Sequence, residues 1–332
     1  MRIWILAILV FFLFATSAFA QLIKVNVAYG GTGGDPLPVL VAKEARLFEK
    51  NGLDASLIYF TGGTTSVLAL ISGDVQIGQV AGPSVVNSAV SGSDLVLVAG
   101  GITSLNYWIM GRPDVKTPEQ LKNGAVAISR FGSATDFIAR FALPKLGLTP
   151  GRDVAIVQIG DSPARLGALL NGRVQGAVLG SLPGALAKKK GMNVLADVAR
   201  MGLVIQHTGV ATTRKAIREN RELIRKYVKA QVEAVHRIWT DREGTINAFL
   251  RHTGSGVERD LLATIRDSLL NEAMLSKKQY PSVEGIKTIL TSMAETDPRA
   301  RSAKPEDFVD MSFIRELDQS GYMDRLYATP AR

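Results

Sequence analysis

The chain has 332 residues, a formal net charge of +9 at pH 7 and no cysteine. The lack of cysteine excludes disulfides, cysteine-ligated metal sites and a lipid anchor attached to cysteine. The basic residues are dispersed, and the one tight run, Lys188–Lys190, has no interleaved aromatic residues, so the charge indicates a solvated surface rather than a nucleic-acid partner.

The first predicted element, residues 1–20, has the pattern of a secretory signal peptide. Arg2 supplies a positive charge, residues 3–14 are apolar, and Ala18 and Ala20 are small residues at a cleavage site. The alternative is a membrane anchor, but a spanning helix needs about 20 apolar residues. We therefore expect cleavage after Ala20, a periplasmic chain with no stable membrane insertion, and a length that suits two domains.

An internal repeat is the most informative pattern beyond the signal. Residues 69–76 and 168–175 are identical at five of eight positions, and the two copies lie 99 residues apart. Each copy predicts the end of a helix, a glycine that terminates it, and a short buried strand. The flanking segments are repeated as well, which indicates two similar units.

Each unit is predicted to have the order βαβαβ. The predicted strands upstream of the repeats are Val25–Tyr29, Ala55–Phe60, Ala125–Ser129 and Val154–Ile159, and helices are predicted from Pro36 to about Lys50 and up to about Lys145. This alternation predicts a parallel sheet covered by helices in each of two α/β lobes. From about Lys215 onward only helical periodicity remains, so we expect this block to pack on one lobe.

The loops after the predicted strands are the candidate ligand site. Ligands of open α/β sheets bind beyond the carboxyl ends of the strands, and helix starts favour anions. These loops are rich in Gly, Ser and Thr. The candidate ligand-binding residues are Thr32, Asp35, Gly63, Thr64, Gly82, Pro83, Ser104, Arg130, Ser133, Ala134 and Asp161.

Several candidates have a second interpretation. Asp35 before Pro36, Ser133 with Asp136, and Ser162 before Pro163 all fit helix capping. Arg130 can clamp a sulfonate or carboxylate, or can be an exposed arginine. The acidic residues Asp35, Asp136 and Asp161 would oppose an anion or contact the hydroxyl or amine groups of another ligand.

Ring residues near these loops suit either stacking on a flat ligand or packing in the core. They are Tyr29, Phe60, Tyr107 and Trp108. His207 lies near a predicted crossing between lobes, where it can touch the cleft. No H-E-x-x-H, G-x-S-x-G or P-loop motif occurs, so the sequence predicts no catalytic residue, metal or cofactor.

Three segments together resemble a known family. Residues 42–53 resemble its "A-K-x-x-G-L-F-x-x-x-G-L" segment, residues 69–76 its "A-L-x-x-G-D-V-Q" segment, and residues 112–121 the stretch that opens its second lobe. The chain thus resembles the nitrate/sulfonate/taurine group of ABC-transporter solute-binding proteins, which includes binders of thiamine-pyrimidine precursors. Ala45 stands where many relatives have glycine, and we expect the change to be harmless inside a helix.

The resemblance implies an α/β type II periplasmic-binding fold with two lobes, a hinge and C-terminal helices on lobe one. Lobe one would comprise residues 22–105 and 210–332, and lobe two residues 106–207, with crossings near Ser104–Gly111 and Val204–Thr212. It also implies a monomer that binds a small molecule between its lobes and delivers it to an ABC permease driven by an ATPase.

The expected solute is small and either anionic or a flat polar ring: a sulfonate, nitrate, a small carboxylate or a pyrimidine. One alternative is an enzyme of pyrimidine-precursor synthesis with the same general fold. By resemblance that chemistry uses histidine and a cysteine-rich iron motif, and this chain has no cysteine. A ligand-sensing domain is the other alternative, although no DNA-binding helix-turn-helix or receptor membrane span is visible in the sequence.

Overall fold

A computed structural model describes residues 21–254 and 256–328, so the predicted signal peptide lies outside the described residues. Ten strands form two five-stranded sheets. The strands are β1 (Ile23–Tyr29), β2 (Leu53–Tyr59), β3 (Ile77–Ala81), β4 (Leu95–Ala99), β5 (Tyr107–Gly111), β6 (Ala125–Ile128), β7 (Ala155–Gln158), β8 (Gly176–Gly180), β9 (Asn193–Asp197) and β10 (Thr208–Thr213).

The two sheets have equivalent strand orders. The first is β2-β1-β3-β10-β4 and the second is β7-β6-β8-β5-β9. In each sheet one strand, β10 or β5, runs antiparallel to both of its neighbours. The prediction of parallel strands is therefore confirmed within the βαβαβ units, β1–β3 and β6–β8, but it does not extend to β5 and β10. A helical crossover within a sheet keeps the strand direction, whereas β5 and β10 enter from the other sheet and are free of that constraint.

The helices cover the sheets and form the C-terminal block. They are α1 (Leu37–Glu44), α2 (Leu47–Lys50), α3 (Gly63–Ser72), α4 (Gly82–Val90), α5 (Ala134–Lys145), α6 (Ser162–Leu170), α7 (Ser181–Lys189), α8 (Arg214–Glu219), α9 (Arg221–Thr240), α10 (Arg242–Thr253), α11 (Arg259–Leu269), α12 (Val283–Met293), α13 (Ser312–Gln319) and α14 (Tyr322–Ala328). Within residues 21–254 and 256–328, none of these helices has the length and apolar character needed to cross a bilayer.

The repeat has the structure that its sequence predicts. Helix α3 ends at Gly73, whose φ of 84° is left-handed, and the buried strand β3 follows. Helix α6 ends at Asn171, and the left-handed residue is the next one, Gly172, with φ 70°. Within the repeat, the helix of the second copy therefore ends one position earlier than the helix of the first. Both copies then enter the central strand of their sheet, β3 or β8.

The predicted helix from Pro36 to Lys50 is interrupted. Its first part, α1, ends at Ala45, and Arg46 adopts a left-handed conformation with φ 54° before α2 begins. Ala45 is therefore not inside a helix, and the position that favours glycine is Arg46. A side chain in this conformation crowds its own backbone, which glycine avoids.

The C-terminal helices pack against the first sheet, as the fold class predicts. Tyr227 of α9, Phe249 of α10 and Phe313 of α13 are fully buried in one core with Val25 and Leu53 of the sheet. A second core contains side chains of both sheets, among them Leu97 and Ile109. No strand follows β10 in the described part of the chain.

Candidate ligand-binding site

One cavity lies where the ends of strands from both sheets meet. The first sheet contributes residues after β1 and at the ends of β2 and β3, and the second contributes residues after β6 and β7. Because β5 and β10 run antiparallel, they bring their first residues, Tyr107 and Thr208, to the same edge. The free volume is about 70 Å³, so the two walls lie close together.

Asp35 is the acidic group of the first wall. Its Oδ2 accepts a hydrogen bond of 2.7 Å from the Tyr107 hydroxyl, and its Oδ1 lies 3.0 Å from Nε2 of His207. Burial raises the pKa of Asp35, but the attraction and hydrogen bond of His207 and the hydrogen bond of Tyr107 outweigh it, so the pKa lies below its ordinary value. Asp35 is therefore a carboxylate at neutral pH.

This role replaces the predicted capping role of Asp35. The N-cap of α1 is Pro36, and no side chain caps that helix. The carboxylate instead faces the second sheet, because the glycines of the loop after β1 carry the chain around the cavity. Gly31, with φ 88°, makes this turn directly beside Asp35.

Arg165 is the basic group of the second wall. It is 2% exposed, and it donates to Val178 O at 2.8 Å, to Ser162 Oγ at 2.7 Å and to the carbonyl oxygen of Gly160. Burial lowers its pKa to about 10, so the guanidinium remains charged at pH 7. It makes no salt bridge with a carboxylate of the described residues.

Tyr59 and Tyr107 add hydroxyl groups to the cavity. Burial and the negative charge of Asp161 raise the pKa of Tyr59 to about 12. Burial and Asp35 raise the pKa of Tyr107 well above its ordinary value. Both side chains are therefore neutral hydroxyls at physiological pH, able to donate or accept a hydrogen bond.

Four helices begin at the cavity. The N-cap residues of α3, α4, α5 and α6 are Gly62, Ala81, Ser133 and Asp161, and all four line it. Helix starts carry partial positive charge. Helices α3 and α4 have no side-chain cap, whereas Ser133 and Asp161 accept from their own helices.

These caps refine two predictions. Ser133 accepts from Asp136 N at 3.4 Å, but Asp136 accepts from Gly132 N at 2.9 Å rather than from Ser133, so only half of the predicted capping box forms. The cap of α6 is Asp161, which accepts from Ala164 N at 2.9 Å, rather than Ser162. Ser162 is the first residue of that helix.

Hydroxyl and amide groups complete the lining. Ser129, Ser133 and Thr135 form a cluster in which the hydroxyl oxygens lie 2.8 to 3.0 Å apart. Gln79 donates through Nε2 to Thr208 Oγ1 at 3.2 Å, while its Oε1 has no hydrogen-bond partner among the described residues. Gln79 is only 4% exposed, and an unpaired buried acceptor of this kind is uncommon.

The structure brings together five of the eleven candidate residues predicted from sequence. Asp35, Gly63, Ser133, Ala134 and Asp161 line the cavity. The other six do not: Thr32, Thr64, Gly82, Pro83, Ser104 and Arg130. Arg130 is exposed, and Thr64 instead donates to Phe131 O at 3.0 Å, a contact between the two sheets' loops.

Of the ring candidates, only Tyr107 lines the cavity. Trp108 packs under Lys188, whose Nζ lies 4.1 Å from the ring centre. Tyr29 packs edge-on against Tyr59 with ring centres 5.5 Å apart. Sequence reasoning did not select Tyr59, Gln79 or Arg165, although Tyr59 is the penultimate residue of the predicted strand Ala55–Phe60 and Arg165 lies at the end of a predicted loop.

A larger cavity of about 480 Å³ lies between α4, α5 and α12. It contains Pro83 and Asp136, and Asp136 pairs there with Arg140 at 2.9 Å. Most of its lining comes from the helices rather than from the loops at the strand ends, and its buried carboxylate already has a partner, so the smaller cavity is the better ligand site. No group of three or more His, Asp or Glu side chains in the described ranges is placed to hold a metal ion.

Comparison with known proteins identifies related sequences. The sequence model of the family described as NMT1/THI5 like matches residues 35–243. The taurine-binding periplasmic protein of Escherichia coli (strain K12) is 30% identical over 220 residues, which are 65% of this chain and 66% of that protein, just under two thirds of its length. The putative binding protein YtlA of Bacillus subtilis (strain 168) is 22% identical over 300 residues, covering 86% of this chain and 89% of that protein.

Solved structures share the fold. The alkanesulfonate-binding protein SsuA from Xanthomonas axonopodis pv. citri, bound to MOPS, has a TM-score of 0.70 at 17% identity and covers 88% of this chain and 100% of that one. The periplasmic nitrate-binding protein NrtA from Synechocystis PCC 6803 has a TM-score of 0.75 at 14% identity and covers 94% of this chain and 93% of that one. At these identities the likeness is one of fold, and it agrees with the predicted periplasmic-binding architecture.

Proposed function

The chain belongs to the NMT1/THI5-like family, in the group of solute-binding proteins that includes taurine-, sulfonate- and nitrate-binding members, and from this premise we propose that it is the solute-binding component of an ABC importer. It captures a small anionic or flat polar solute between two lobes, without transforming it, and delivers it to a permease driven by an ATPase. The four relatives named above are binding proteins by name, which supports this role.

The observation that carries the proposal is the state of Arg165. A charged guanidinium that is 2% exposed, without a salt bridge to any carboxylate of the described residues, stands in a cavity where four helices begin. Burying a charge without a partner is costly. An anionic solute group would supply that partner and would also meet the positive ends of the helices.

Closure follows from the position of the cavity between the two sheets. We place lobe one at residues 22–105 and 210–332 and lobe two at residues 106–207. A solute that contacts Asp35 on one wall and Arg165 on the other makes both contacts only when the lobes are together, so it favours the closed state. The bond from Thr64 to Phe131 O, at 3.0 Å, would belong to that state.

The location and assembly follow from the same role. The pattern of residues 1–20 and the periplasmic relatives support secretion to the periplasm through a cleavable signal peptide. We expect the mature protein to be a monomer with one solute site.

A ligand panel tests the proposal. Native mass spectrometry of the purified mature protein would show any retained solute, and thermal denaturation would then be measured with alkanesulfonates, nitrate, small aromatic acids and aminopyrimidines. A bound ligand at 100 times its Kd should stabilise the protein by about 2.7 kcal/mol. A panel in which no compound shifts the melting temperature, with no solute retained, would overturn the proposal.

A further inference from the structure

We propose that the cavity is electrically polarised and that its solute is a small zwitterion. Its cationic N–H group is held by Asp35 and Gln79 on the wall of the first sheet, and its anionic group by Arg165 on the wall of the second. This inference rests on the proposed function and names the class of solute that the site selects.

The negative pole is an ionised carboxylate with unused acceptor capacity. A carboxylate has about four acceptor positions, and Asp35 uses one for the Tyr107 hydroxyl and faces His207 Nε2 with another. The remaining positions are available to a donor that enters the cavity. Asp35 therefore suits an ammonium group, which is a donor with a positive charge.

His207 does not remove this pole. The imidazole is 1% exposed, and its Nδ1 has no hydrogen-bond partner among the described residues. Nε2 of His207 faces Oδ1 of Asp35 at 3.0 Å, so the other acceptor positions of the carboxylate stay open to a donor from the cavity.

Gln79 provides an independent indication on the same wall. Its Nε2 is bonded to Thr208, which leaves Oε1 as a buried acceptor that lines the cavity without a partner in the described chain. Buried acceptors normally have a donor. The wall thus offers two acceptors, one charged and one neutral, to a donor-rich solute group.

The positive pole is the guanidinium of Arg165. Arginine has five N–H donors in a planar fork, and three bonds to Val178, Gly160 and Ser162 hold the group in place. The remaining donors can reach a sulfonate or carboxylate. Asp161 shares this wall, but its Oδ1 is bonded to Ala164 N at the start of α6.

A zwitterion satisfies both poles, whereas simpler ions satisfy one. A plain anion would pair with Arg165 but would leave the open acceptor positions of Asp35 and Oε1 of Gln79 without a donor, and a plain cation would leave Arg165 without an anion. Buried polar and charged groups whose hydrogen-bonding capacity is left unused are unfavourable. The cavity should therefore distinguish two solutes of equal size that differ only in an amino group.

Matched ligand pairs test this selection. Isothermal titration calorimetry of the mature protein would compare taurine with ethanesulfonate, β-alanine with propionate, and 4-(aminomethyl)benzoate with 4-methylbenzoate. We expect at least one amino compound to bind at least about tenfold more tightly than its partner, since a hydrogen bond to a charged group is lost without the amine. Ethylamine alone should bind weakly, because it leaves Arg165 unpaired.

Variants assign the discrimination to its residues. Asp35→Asn is close in shape and keeps an acceptor for Tyr107, and it should reduce the preference for the amino compound to about threefold or less; Gln79→Met should reduce it partly. Arg130→Gln, on the surface, should leave it unchanged. Each variant is first checked for an intact thermal transition, and Gln79→Met serves if Asp35→Asn does not fold.

The outcomes separate this inference from the proposed function. If anions bind equally well with and without the amino group, the polarised site is wrong and the anion-binding function stands. If discrimination occurs but survives both Asp35→Asn and Gln79→Met, the assigned wall is wrong. If no probe of either kind binds, and the wider panel also fails, both proposals are overturned.

Discussion

The hydroxyl of Tyr107 donates a hydrogen bond of 2.7 Å to Oδ2 of Asp35. Asp35 lies in the loop after β1 of the first sheet, and Tyr107 is the first residue of β5 in the second sheet. One bond thus joins the two sheets at the cavity and holds the carboxylate in position. Asp35 and Tyr107 lie 72 positions apart in the sequence.

Replacing Tyr107 should change both the stability of the protein and the pKa of Asp35. Tyr107→Phe removes one donor to Asp35, so the pKa of Asp35 should rise and the free energy of unfolding should fall by about 1 kcal/mol. Urea denaturation and NMR titration of the carboxyl group would measure these changes. Tyr227→Phe is the matched control, because the buried Tyr227 hydroxyl has no partner in the described chain, and it should be neutral or stabilising. Equal losses in both variants would contradict the assigned bond.

Acidification should remove the stability that Asp35 contributes. Its pKa is lower in the folded protein than in the unfolded chain, where it is about 3.9. The contribution is therefore fully present above about pH 4 and is lost as the pH falls through the folded value. Urea denaturation from pH 6 to pH 2 should show a flatter pH dependence for Asp35→Asn. A slope for Asp35→Asn equal to that of the wild-type protein would refute the linkage.

The two arginines near the cleft should differ in their effect on anion binding. Arg165→Lys keeps a charge but loses the planar fork, and it should weaken binding of an anionic ligand by about tenfold or more. Arg130→Ala should leave the affinity unchanged, since that side chain is exposed and does not line the cavity. Titration calorimetry measures both. The opposite result would return the clamp role to Arg130.

Replacing Arg46 with glycine should stabilise the folded protein. Its left-handed φ of 54° is unfavourable for an L-residue by roughly 1–2 kcal/mol. After the greater flexibility of glycine in the unfolded chain is subtracted, Arg46→Gly should raise the free energy of unfolding by about 0.5–1 kcal/mol. Arg218→Gly, which places glycine in helix α8, should lower it by a similar amount. A loss of stability at position 46 would show that the side chain has a stabilising contact.

Two helical glycines should respond oppositely to alanine. A Cβ on Gly184 of α7 would lie 2.3 Å from Cε3 of Trp108, so Gly184→Ala should destabilise by about 1–3 kcal/mol through overpacking. A Cβ on Gly167 of α6 would have no heavy atom within 4 Å, so Gly167→Ala should stabilise by about 0.5–1 kcal/mol. The melting temperatures of the two variants would be compared with that of the wild-type protein. If both variants are more stable, the Trp108 ring can move away from the added Cβ at position 184.

Much of the architecture was predictable because its signals are local. The repeat at residues 69–76 and 168–175 identified the helix ends and central strands of both units, since a left-handed glycine and a short apolar run act within a few residues of each other. The loops after β1, β6 and β7 were predicted for the same reason. Asp35, Ser133, Ala134 and Asp161 follow from that placement.

Local patterns did not reveal which side chains meet across the cleft. The directions of β5 and β10 depend on how the chain enters each sheet, and only these directions bring Tyr107 and His207 to the cavity. Arg130 and Arg165 both lie close to strand ends, yet one is exposed and the other is buried. Hydrophobic periodicity indicates which face of a segment is buried within its own lobe. The charged groups of the site, however, meet only because two sheets pack against each other. Tertiary structure alone therefore assigned Asp35 and Arg165 to opposite walls.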